Sequence, residues 1–199
     1  MKIAYIILEN GEKVNMKCLD NVVHTDCFSI KDELEIPKLD LKEFTHAIII
    51  PNDSEITENY FKILEVYYKE GAVMLPLTVL SSKSVTGVLN NCIWNPNLTS
   101  IVGELEHELA IKQIDLTLFG ALIPVELLVE DNFNADIKHY QHFYFLNKIT
   151  YKDVEVIGIP KTLAFIKSDL ALEEISNEEK IKYFNMAKDV YPAAPTEIK

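Results

Sequence analysis

The 199-residue chain is 48% hydrophobic, enough apolar material for one sizeable core. Its net charge is −12 and all nineteen basic residues are lysine, which excludes an arginine fork on guanine and a bidentate arginine clamp on phosphate. The acidic balance argues against an extended nucleic-acid surface, and no apolar run approaches the ~20 residues that span a bilayer.

Three cysteines, Cys18, Cys27 and Cys92, show no close pairing and no zinc-type spacing, which fits a reducing compartment. Cys27 reads as a small buried hydrophobe. Lys2 and the short run IAYIIL lead straight into polar ENGEK, unlike a secretory leader, so the expected location is cytoplasmic.

In chain order, KIAYIIL (2–8) predicts a strand and Val22 to Ser29 a second. Residues 31 to 43, charged and broken by Pro37, read as a surface loop with a short helix near Leu41–Phe44. HAIIIP (46–51) is a continuous apolar run of strand length, expected to be covered on both faces. ITENYFKILEVYYKEG follows with helical spacing, Thr57 as N-cap and Gly71 as C-terminal stop. AVMLPLTVL (72–80) is a strand whose Pro76 favours an edge or a bulge.

The polar segment SSKSVTGVLNNCIWNPNL is long for a plain connection, and such segments often carry binding residues. ELEHELAIKQI (104–114) has helical spacing. LTLFGALIPVELL (116–128) reads as a strand, a turn at Pro124 and a short helix. IKHYQHFYFLNKI (137–149) is helical, VEVIGIP a strand, and 175–191 a helix opened by the capping box Ser176…Glu179. The alternation predicts an α/β domain over 1–192, with a mixed, mainly parallel sheet flanked by helices and a loose tail at 193–199.

The segment after HAIIIP is Asn52-Asp53-Ser54-Glu55. In open α/β sheets ligands bind beyond the carboxyl ends of the strands, where these side chains would lie. Two readings stand. The carboxylates of Asp53 and Glu55 suit a hard cation such as Mg²⁺ or Mn²⁺, whose other positions a substrate's phosphates would fill. Equally, Asp and Ser before a helix cap its orphan N–H groups.

The order of elements resembles the nucleotide-sugar glycosyltransferases of the GT-A fold, in particular the inverting family-2-like enzymes. Three segments carry the resemblance over residues 46 to about 166. HAIIIP with its acidic motif and ITENYFKIL is similar to the family's strand, Asp-x-Asp-like motif and following helix. LTLFGALIP resembles the strand beside the acceptor site. NADIKHYQHFYFLNKITYKDVEVIGIP resembles an acidic motif opening a helix that leads to a strand. Aligning the helices matches Asn52 and Ser54 to the two motif aspartates; sliding by one matches Asp53 and Glu55. Only about 50 residues precede the motif, fewer than in the family, so the nucleotide pocket is reduced. The family's Glu-Asp pair is Ala135-Asp136 here.

The resemblance implies a compact GT-A-like fold, a nucleotide-sugar donor, an unidentified acceptor and a Mn²⁺ or Mg²⁺ cofactor. Asp136 is the candidate base that takes the acceptor's proton; its alternative is a carboxylate at a helix N-terminus, favoured by the dipole. Asn52, Asp53 and Trp94 are candidate donor-binding residues, with Trp94 able to stack on a sugar or to anchor the core. Asp53, Glu55 and His139 are candidate metal ligands, His139 and His142 lying three apart on one expected helix face. Beside the enzyme stand a degenerate domain with a binding or assembly role, and a nucleotide- or sugar-binding module without turnover.

Overall fold

The structure, a computed structural model, describes residues 1–9, 26–52, 54–81, 88–90, 118–138, 140–166 and 176–188. Its strands are β1 (Ile3–Leu8), β2 (Asp26–Ile30), β3 (His46–Pro51), β4 (Ser54–Ile56), β5 (Val73–Ser81), β6 (Val88–Asn90), β7 (Leu122–Pro124) and β8 (Val156–Ile166). The helices are α1 (Tyr60–Tyr67), α2 (Gln141–Tyr151) and α3 (Asn177–Lys188). The expected helix at 104–114 and the tail at 193–199 lie outside the described residues.

The strands form one sheet in the order β2-β1-β3-β7-β5-β8-β4, with β6 paired to β5. The long ladders, β1 with β2, β1 with β3 and β5 with β8, are parallel. The antiparallel ladders of β7, β4 and β6 are short. The sheet is therefore mixed and mostly parallel, with helices against it.

Alternation along the strands divides the core in two. Ala4 and Ile6 of β1, Ala47 and Ile49 of β3, and Val73 and Leu75 of β5 face Phe145, Leu146 and Ile149 of α2. Tyr5 and Ile7, Ile48 and Ile50, and Met74 face Tyr60 and Leu64 of α1. Every residue of β3 is buried, as its unbroken apolar run predicts. Its three isoleucines alone contribute on the order of 1.5–3 kcal/mol each by leaving water.

Several sequence expectations change. Residues 31–43 are more than a surface loop: Glu33–Lys38 forms a 3-10 helix that buries Ile36, capped by Asp32, whose carboxylate accepts from the Leu34 N–H at 2.8 Å. Leu41 and Phe44 are buried without making a helix. Thr57 is not the N-cap of α1. Residues 54–56 pair with β8 instead, the Thr57 N–H continues that contact to Leu163, and the helix starts at Tyr60. Gly71 lies beyond the end of α1, in the turn before β5, at φ +75°, a conformation that favours glycine.

Of the two positions expected for Pro76, an edge or a bulge, the structure shows the second kind. β5 is interior, and Pro76 sits where its register with β8 shifts, so the missing N–H falls at the irregularity. The strand expected from 116 begins only at Leu122, after a turn at Gly120 (φ +74°). α2 starts at Gln141 rather than Ile137, because Tyr140 takes a left-handed φ of 67° and interrupts the helical path. The capping box is present: Ser176 Oγ accepts from the Glu179 N–H at 3.2 Å, and the Glu179 carboxylate accepts from the Ser176 N–H at 3.1 Å. Among the described residues no helix is long and apolar enough to cross a membrane.

Candidate functional site

The order β2-β1-β3 sends the chain outward on one side from β1 to β2, and on the other from β3 towards β5. Such a reversal opens a crevice at the carboxyl ends of the two parallel strands between which it occurs. Here those strands are β1 and β3, whose lips are Leu8–Glu9 and Pro51–Asn52. The Asn52 N–H donates to the Leu8 carbonyl at 2.8 Å, tying the lips together. The Glu9 N–H donates to the Ile30 carbonyl at 2.7 Å, and the Glu9 carboxylate accepts from the Ser29 hydroxyl at 2.6 Å. The end of β2 is thereby joined to the same rim.

Asn52 is fully buried. Ser54 is 1% exposed and its hydroxyl has no partner, an orphaned oxygen directly after the strand. Ser54 and Ile56 are both buried, Ile56 within the core beneath α1. Asp53 lies outside the described residues; Glu55 contributes its backbone to β4, opposite Phe165 of β8. In kind, the oxygens of this segment suit a hard cation shared with phosphate, and the orphaned Ser54 hydroxyl is an oxygen of that type. Among the described residues no three His, Cys, Asp or Glu side chains gather closely enough to hold a metal ion.

The turn before β7 lies against β3. Phe119 bridges Ile49, and the Gly120 N–H donates to the Ile49 carbonyl at 2.9 Å. The Gly120 carbonyl accepts from the Tyr60 hydroxyl at 2.7 Å, so α1 fixes the turn from below. Burial raises the Tyr60 phenol well above its usual pKa, which keeps it a donor.

α2 fixes the turn from the other face. The Leu118 N–H donates to His142 Nδ1 at 3.3 Å, and the imidazole stands edge-to-face on Phe119 at 4.8 Å. Because Nδ1 accepts, the neutral ring carries its proton on Nε2, which lies 3.5 Å from the Glu33 carboxylate. Burial lowers the His142 pKa while Glu33 opposes that shift. His142 is thus a positioning residue, bonded to Leu118 and lying close to Glu33, although its Nε2 makes no hydrogen bond. Sequence spacing gave no sign of them, because both are distant in the chain.

Asp136 is exposed and lies in a turn, not at a helix N-terminus, since α2 begins five residues later. Its N–H donates to Asn134 Oδ1 at 2.9 Å. Gln141, the first residue of α2, secures that turn by donating to the carbonyls of Asn134 and Ile137. The described contacts carry this segment, through His142, to the turn at 118–120 beside β3; they include none between Asp136 and Asn52 or Ser54. His142 lies in the first turn of α2. His139 and Trp94 lie outside the described residues.

Neither a family model nor a curated protein sequence matches the chain.

Proposed function

We propose that the chain is a GT-A-like domain that transfers a sugar from a nucleotide-sugar donor to an acceptor hydroxyl with inversion. The observation that carries this reading is the switch in strand order between β1 and β3, with Asn52-Asp53-Ser54-Glu55 following the fully buried strand β3 in sequence. The turn at Gly120, from the segment that resembles the family's acceptor-side strand, lies against β3 and supports the same reading.

In this proposal Asp53 and Glu55, with His139, hold Mn²⁺ or Mg²⁺, and the donor's phosphates complete its shell. Bound there, the cation would offset charge on the departing diphosphate. Lysine and backbone N–H groups supply the remaining phosphate contacts, since the chain has no arginine. Asn52 and Trp94 position the donor. Asp136 takes the acceptor's proton as the acceptor oxygen bonds to the anomeric carbon and the bond to the diphosphate breaks.

One observation favours a non-catalytic binding or assembly protein instead. In the alignment that matches the motif aspartates to Asn52 and Ser54, both replacements are uncharged and buried. Release of nucleoside diphosphate from a panel of nucleotide sugars separates the two. Activity in the native protein that Asp136→Asn lowers by about 10²–10⁴, with donor binding retained, supports the transferase. Donor binding with no turnover on any acceptor selects the binding protein, and no binding of any donor removes both nucleotide-sugar readings.

A further inference from the structure

At the opposite end of the sheet, β3 begins at His46, roughly 17 Å from its carboxyl end for a strand rising about 3.3 Å per residue. A cleft of about 730 Å³ opens there, against the starts of β1, β3 and β5. This volume is in the range of small-molecule sites, which combine apolar walls with a few convergent polar groups. Phe61 and Tyr68 supply aromatic wall. The charged groups among the described residues lining the cleft are three carboxylates, Glu65, Glu70 and Glu126, and the N-terminal ammonium of Met1, which acts on His46 against Glu126; the balance is negative.

His46 supplies the polar group inside. It is 6% exposed. The Thr45 hydroxyl donates to the Lys2 carbonyl at 3.0 Å, which leaves its oxygen to accept from His46 Nδ1–H at 3.0 Å. The proton therefore sits on Nδ1 and Nε2 is a bare acceptor. Nε2 is buried and has no partner, an arrangement that disfavours the empty protein. Tyr68 packs edge-to-face against the imidazole at 5.7 Å and is 45% exposed, so its ring has room to turn aside.

The geometry points to a second binding site in this cleft, for a small organic ammonium ion with an apolar body. One ammonium N–H donates to His46 Nε2. The charge lies among Glu65, Glu70 and Glu126, and the body packs on Phe61 and Tyr68, where a cation also meets the negative face of a ring. The three carboxylates outnumber the single Met1 ammonium, so the cleft attracts a cation and repels an anion. This site is independent of the glycosyl-transfer reading.

The test uses the full chain and three probes: 2-phenylethylammonium, its uncharged counterpart 2-phenylethanol, and the N,N,N-trimethyl form, which keeps the charge but has no N–H. Calorimetry should give one saturable site for the first, with the His46 Nε2 resonance moving in ¹⁵N spectra on the same titration. Loss of the N–H, or the exposed substitution Glu126→Gln, should each weaken binding by about tenfold, the scale of a hydrogen bond or ion contact to a charged group. His46→Phe should do the same, and Glu126→Gln gives the answer even if that variant fails to fold. Non-saturable binding, equal affinity for 2-phenylethanol, or affinity unchanged by Glu126→Gln would overturn the site.

Discussion

Tyr5 and Tyr60 bring two phenols into the same half of the core, and only one of them is hydrogen-bonded. Tyr60 donates to the Gly120 carbonyl, whereas the Tyr5 hydroxyl is buried without a partner. Removing a bonded buried hydroxyl leaves its acceptor stranded, but removing an orphaned one relieves a desolvation cost. Tyr60→Phe should therefore destabilise by about 1–2 kcal/mol in urea unfolding, while Tyr5→Phe should be neutral or stabilising by up to ~1 kcal/mol. Equal losses would contradict the pairing. His142 contributes to the pH response, and His46, lowered by burial too, contributes with the same sign. The folded pKa of His142 lies below the ordinary value and the unfolded chain titrates near ~6.5. The stability linked to it is complete above that pH and is lost as pH falls, because the unfolded chain then binds a proton the folded ring refuses. The slope reaches at most ~1.4 kcal/mol per pH unit for this group. Glu33→Gln removes the neighbouring charge that opposes the shift, so NMR titration should find the His142 pKa lower still; an increase would contradict the placement of Glu33 beside the ring.

The helices differ in how they begin, and that difference is measurable. α3 has a reciprocal capping box at Ser176 and Glu179, while α1 has no side-chain cap at Asn59. Ser176→Ala should cost about 1 kcal/mol, seen first as faster amide exchange at the start of α3. Thr57→Ala should cost much less, since the Thr57 hydroxyl is already without a partner. A capped helix at Ser176 was legible in sequence because its donors and acceptors are three residues apart. β1 and β3 were legible because an unbroken apolar run of strand length fits burial on both faces. The start of α1 was not, because a propensity reading sees Thr57 before a helical pattern and cannot see β8, more than 100 residues later, pairing with Ser54–Ile56. For Pro76 the sequence left an edge or a bulge open, and the structure has an irregularity of the second kind. The proline's missing N–H is harmless at a register shift, and only the partner strand reveals the shift. The candidate site was legible as a position, the end of β3, but not as a set of contacts. His142, Glu33 and Leu118 meet through folding alone.

At the scale of the whole molecule, the sheet has two ends with different chemistry. At one, the strand order switches between β1 and β3 and the buried Asn52 and Ser54 follow β3; at the other, carboxylates and a bare imidazole nitrogen line a cleft. The net charge of −12 bears on both ends. A nucleoside diphosphate approaching this protein meets repulsion unless a cation accompanies it, and no arginine is present to substitute for that cation. If the crevice binds a nucleotide sugar, metal and diphosphate must therefore bind as one unit, each supplying what the other lacks. Mn²⁺ with a nucleoside diphosphate should raise the melting temperature, whereas either alone at the same concentration should shift it far less. A combined ligand present at 100 times its Kd stabilises by about 2.7 kcal/mol, enough for a shift of several degrees in a domain of this size. Asp53→Asn should abolish the joint shift, while Glu126→Gln, at the other end of β3, should leave it intact. A diphosphate that binds as well in chelator as in Mn²⁺ would mean that backbone and lysine hold the phosphates without a metal, and Asp53 would lose its proposed role.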